Sequence, residues 1–84
     1  LAKMGQETSV PIINNLMDRD YLMTFPELDY KEITKVILTA IETSSVIVDN
    51  RFEPNLIDLA KLDENLSIRD AAIKTLKNSY DRTI

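Results

Sequence analysis

Carboxylates are the one plentiful reactive group in this chain: 14 Asp and Glu stand against 10 Lys and Arg, with no His and no Cys among 84 residues. Asp18, Asp20, Asp58 and Asp63 are candidates by type for acid–base work or for holding Mg²⁺. None of them stands in a spacing known to assemble a site. Asp63-x-Asn65-x-Ser67 opens like a calcium-binding loop, but Ile68 occupies the position that needs Gly and Lys74 the position of the bidentate Glu. That chemistry fails. The missing His and Cys exclude Ser-His-Asp and Cys-His nucleophilic catalysis, zinc and haem sites built from those ligands, iron–sulfur clusters and disulfides. A single Gly cannot build a glycine-rich phosphate loop. Asn65-Leu66-Ser67 is an N-glycosylation sequon, which matters only on export. The chain therefore reads as non-catalytic, with no cofactor and no metal.

The elements that must position these side chains follow from apolar periodicity and capping residues. Ser9 before Val10 and Pro11, followed by Ile12, Ile13, Leu16 and Met17, predicts a first helix over about residues 10–18. Residues 21–25 are too apolar for a free loop and either extend this helix or pack as a hydrophobic connector, and Pro26 stops whatever precedes it. Asp29 with Glu32 three residues on is a capping box with Asp as the cap. The stripe Ile33, Val36, Ile37, Ala40, Ile41, Ser44, Ile47, Val48 then predicts a long helix that frays near Asp49-Asn50. Its β-branched run from Thr43 to Val48 also suits a strand, but no hairpin partner is nearby. Pro54 opens a third helix with Leu56, Ile57, Leu59, Ala60 and Leu62 as apolar positions. Asp63-Glu64-Asn65 turns the chain. Ser67 is expected to cap the last helix, with Ile68, Ala72, Ile73, Leu76 and Tyr80 on its inner face.

The expected fold is all-α: a small bundle of four to five short helices in a single domain over residues 9–84, after a flexible segment or vector-derived remnant over residues 1–8. Leu1 is no translation start, so either the chain is a piece of something longer or Met4 is the native start. In the second case Met4-Gly5-Gln6-Glu7-Thr8-Ser9 fits the N-myristoylation pattern at Gly5. No apolar run approaches the roughly 18–20 residues of a membrane span, and no secretory leader is visible. With no Cys, the reading is a cytoplasmic protein.

One segment resembles a known family. In residues 63–76, the turn Asp63, the pair Ile68-Arg69, Ala72 and Leu76 stand at the spacing of a HEAT-repeat core, and residues 56–62 look like the tail of that repeat's first helix. The resemblance covers about a third of the chain. It implies a paired-helix scaffold in which Asp63 and Arg69 bridge within and between repeats. The helices over residues 10–48 carry no matching Asp or aliphatic-Arg pair, and a solenoid needs roughly three repeats where this length holds about two.

Two binding readings follow. The first is a protein–protein interaction module, a scaffold or adaptor that docks a partner protein or itself through an apolar helix face. Tyr21, Met23, Phe25 and Phe52 complete the core unless the helical stripes already fill it, and are then the partner-binding residues. The second is a helix-turn-helix over residues 56–78, in which the helix 67–81 presents Arg69, Lys74 and Lys77 to nucleic acid. The net charge of −4, the acidic pair Asp63-Glu64 and the missing turn Gly argue against nucleic acid, and the charge also argues against an anionic membrane. The interaction module is the reading the sequence favours.

Overall fold

The computed structural model describes residues 2–82, with side chains described from residue 9 onward. The Gly5 motif lies outside the described side chains. The fold is all-helical, with 76% of the chain in helix and no strand among the described residues. The elements are α1 (Ala2–Leu16), α2 (Arg19–Leu22), α3 (Tyr30–Val46), a 3₁₀ turn (Asn50–Phe52), α4 (Glu53–Leu62) and α5 (Leu66–Ser79).

Capping chemistry sets most of these boundaries. The Asp29 carboxylate accepts from the Glu32 backbone N–H at 2.8 Å while the Glu32 side chain accepts from the Asp29 N–H at 3.4 Å, the reciprocal pair of a capping box. Pro54 stands in the first turn of α4, where its missing N–H costs nothing. Two caps differ from the sequence expectation. Asn65, not Ser67, caps α5: its backbone is extended and its side-chain oxygen accepts from Ser67 N–H at 2.9 Å and Ile68 N–H at 3.2 Å. Helix α1 begins at Ala2 rather than near Val10, so Pro11 lies inside it. Residues 21–25 neither extend α1 nor run as a plain connector. Asp18 starts the separate four-residue α2 by accepting from Tyr21 N–H at 3.3 Å.

Helices α4 and α5 form a hairpin across the short turn 63–65, α3 packs on α5, and α1 packs on α3 and on the 3₁₀ turn. The Cα trace measures 35 × 29 × 15 Å, which is two helix layers thick. One core runs through the slab: Val10, Ile13 and Met17 from α1, Ile33, Ile37 and Ile41 from α3, Leu56 and Leu59 from α4, and Ile68 and Leu76 from α5. Ala40 and Ala72 are buried on α3 and α5, where a small side chain lets packed helices approach closely.

Each end of the slab is pinned by polar groups. At the far end the Tyr80 hydroxyl donates to the Ser44 carbonyl at 2.9 Å and accepts from the Asp49 N–H at 3.2 Å, tying the end of α5 to the end of α3. Burial pushes the ionisation of this phenol above its usual 10. Asp81 adopts the left-handed conformation at φ 55°, which Asp tolerates better than most residues, and the Arg82 N–H turns back to the Leu76 carbonyl at 2.8 Å. The near end carries the candidate site.

Candidate functional site

The near end is organised by Arg19 and Asp63, 44 residues apart in sequence. Asp18 caps α2, which fixes Arg19 as the first helical residue and aims it at the α4–α5 turn. Its Nε and Nη2 donate to Asp63 Oδ1 at 2.8 Å and Oδ2 at 3.0 Å, a bidentate fork. The Asp63 side chain is only 2% exposed and ends α4 with an extended backbone. Its Oδ2 also accepts the Asn65 N–H at 2.9 Å, so one carboxylate joins α2, the end of α4 and the start of α5. The guanidinium lies 5.1 Å from the centre of the Tyr30 ring, and the Tyr30 hydroxyl accepts from Asn65 Nδ2 at 3.2 Å. Glu64 approaches Arg19 at 3.9 Å. The hydrogen bond to Asp63 raises the Arg19 pKa above its already high ordinary value, with burial opposing and the nearby charges adding to it. Arg19 is thus a permanent cation committed to a partner. The pair is a clamp, with neither a nucleophile nor a free base in it.

Beside the clamp is a cavity of about 410 Å³ whose apolar floor includes Met17, Leu59 and Leu62. Asp18, Asp20, Asp58 and Asp63, the four carboxylates singled out by type in the sequence, all line it together with Glu64. They share a wall without converging, since among the described residues no group of three or more carboxylates is placed to hold a metal ion. The topology joins them: the end of α1, α2 and the last turn of α4 meet there. A second cavity of about 570 Å³ opens between α1 and α3 and is more apolar, with Leu16, Leu28 and Val36 in its lining and Glu32 and Lys35 among its polar members.

The candidate docking residues divide. Tyr21, Met23 and Phe25 are exposed, Met23 at 62%, and the Tyr21 and Phe25 rings pack edge-on with centroids 5.3 Å apart. Phe52 is a correction: it is 0% exposed and belongs to the core. Asp49 caps the 3₁₀ turn by accepting from Arg51 N–H, and that turn rotates position 52 inward against α1 and α4. Leu62 departs from the expected inner stripe of its helix and is 78% exposed, as is its neighbour across the turn, Leu66, at 72%. With Tyr30, these make six of the nine large exposed hydrophobics among the described residues, all on α2, the segment after it or the helix ends that Arg19–Asp63 and Tyr30–Asn65 tie together.

Of the two residues that the family resemblance marks as bridging, Asp63 pairs with Arg19, and the Arg69 Nε is buried without a hydrogen-bond partner. The three cations of the helix-turn-helix reading differ in their surroundings. Arg69 is half-buried, Lys74 pairs with Asp70 at 3.4 Å, and Lys77 is exposed. At 100° per residue they spread over about 140° of the helix circumference. Residue patterns missed Arg19, Tyr30 and Leu66. Arg19 and Asp63 belong to no local spacing rule, and only the Asp18 cap before Arg19 hinted that the chain restarts a helix there.

No helix among the described residues is long and apolar enough to cross a membrane. The chain matches no family model, no curated protein and no solved structure.

Proposed function

We propose that this chain is a non-catalytic helical interaction module, a scaffold or adaptor that docks a partner protein through the near end of the bundle. One observation carries this reading: Tyr21, Met23, Phe25, Tyr30, Leu62 and Leu66 are exposed together on segments that the Arg19–Asp63 clamp holds in place. Monomeric domains rarely leave a patch of that kind uncovered unless it binds something. The clamp contributes preorganisation, because aromatic side chains on fixed elements lose little freedom on binding. A polar group poised for chemistry is not needed in this reading. The HEAT-repeat resemblance of residues 63–76 points the same way, toward a helix hairpin whose outer surface recognises a partner.

Removing the aromatics tests it. The double variant Tyr21→Ser, Met23→Ser should keep the thermal midpoint within about 2–4 °C of the parent, since exposed substitutions change stability little. It should lose most of the parent's binding of a hydrophobic fluorescent dye. A loss of several kcal/mol of stability, or unchanged dye binding, overturns the reading.

A further inference from the structure

The chemistry around the exposed hydrophobics says what kind of partner they fit. The cavity beside them is lined by five carboxylates and one cation, and that cation, Arg19, is taken up by Asp63. Asp20, Asp58 and Glu64 are exposed, and Asp18 keeps one side of its carboxylate in the α2 cap. Apolar side chains thus stand next to a concentrated negative field with a partly apolar floor of Met17, Leu59 and Leu62. Nucleic acid and anionic lipid meet that field as repulsion.

Resting on the interaction-module reading, we infer that the near end docks a cationic amphipathic segment of a partner protein, a helix with Lys or Arg flanking a row of Leu-like residues. The apolar row covers Tyr21, Met23, Phe25, Leu62 and Leu66. A Lys or Arg stem lies along Leu59 and Leu62 while its charge meets Asp20, Asp58 and Glu64, which is how long cationic side chains bury their carbons and keep their heads among polar groups. The site's own cation is neutralised internally by Asp63, so it offers the incoming charge no opposition.

The test titrates the full ¹⁵N-labelled chain with three 18-residue peptides: Lys with Leu, Glu with Leu, and Lys with Ser. The Lys–Leu peptide should bind, with amide shifts concentrated in residues 18–30 and 58–66 and an affinity that falls with salt. Asp20→Asn with Asp58→Asn should weaken that binding about tenfold. The control pair Glu42→Gln with Asp70→Asn, which changes net charge equally, should change it less than about twofold. Equal weakening by both pairs, or equal binding of the Lys–Ser peptide, overturns the inference by showing unspecific charge attraction. Equal binding of the Glu–Leu peptide at the same residues overturns the cationic partner and leaves the apolar docking reading standing. No binding by either Leu-containing peptide overturns both. Concentration-dependent self-association in sedimentation, abolished by Asp20→Asn with Asp58→Asn, assigns the site to a second copy and overturns the foreign partner.

Discussion

Asp63 and Arg69 stand six residues apart and differ in what surrounds them. Asp63 is buried with three hydrogen bonds from two elements, and Arg69 buries its Nε with none. Breaking a buried pair leaves its partner's charge uncompensated, whereas removing an unsatisfied polar atom removes a cost. Asp63→Asn should therefore cost about 3 kcal/mol in urea denaturation, even though the amide preserves the shape and can still accept from Asn65 N–H. Arg69→Met keeps the aliphatic stem and should leave stability within about 0.5 kcal/mol of the parent or raise it. Destabilisation by both substitutions would show that Arg69 also carries a bridging contact, as the HEAT resemblance implies. A second carboxylate sets a pH dependence. The Arg51 guanidinium and backbone N–H hold Asp49 at a pKa of about 2, below the ordinary 3.8. A depressed carboxylate contributes its stability above the unfolded value and loses it as pH falls through the folded one, so this contribution is intact above about pH 4 and fades toward pH 2. Asp49→Asn should flatten the stability profile in that window, and a side-chain carboxyl NMR titration of Asp49 should show the low midpoint directly.

Helix boundaries were legible where residue type left a single candidate for the boundary. Asp29 and Glu32 satisfy each other three residues apart, and Pro54 can only sit where no N–H is needed. At α5 two residues of cap-forming type, Asn65 and Ser67, stand two positions apart, and residue type alone favours neither. The extended backbone at Asn65, φ −97° and ψ 121°, decides it, because its carboxamide is already fastened to Tyr30 and its N–H to Asp63. Asn65→Ala should cost about 1 kcal/mol and Ser67→Ala no more than a few tenths, read from thermal unfolding and from amide exchange in the first turn of α5. The reverse order would move the cap to Ser67. Helix α2 escaped periodicity for a simpler reason: at four residues it is shorter than any repeat that an apolar stripe can display. The Arg19–Asp63 clamp escaped every local rule because its two halves are 44 residues apart and meet only once the whole bundle is folded. The acidic residues of the candidate site could be listed by type, but not gathered, without the fold that brings the end of α1 and α2 to the same cavity as the last turn of α4.

At the scale of the whole molecule, a slab two helices thick has one core and no spare layer, so each aromatic either lies inside it or faces outward. Phe25 and Phe52 show both outcomes from similar sequence surroundings, each within two residues of a proline. Phe52 fills the junction where the 3₁₀ turn packs on α1 and α4, beside the hydrogen bonds by which Asn14 reaches the Arg51 carbonyl and Asn55 reaches Asn14. Truncating a fully buried Phe leaves a cavity and costs about 3–5 kcal/mol, against a total of about 4–13 kcal/mol for a domain of this length. Phe52→Ala should lower the unfolding midpoint by more than 10 °C, and because the core is single, helical content and tertiary NMR signals should be lost together in one transition. Phe25→Ala, with its ring half outside and its main neighbour the exposed Tyr21, should cost less than about 1 kcal/mol and act on docking instead. Equal costs for the two truncations would place Phe25 in the core and remove the aromatic edge from the docking surface. Separate transitions for α1 and for the α4–α5 hairpin would show that Phe52 does not join them.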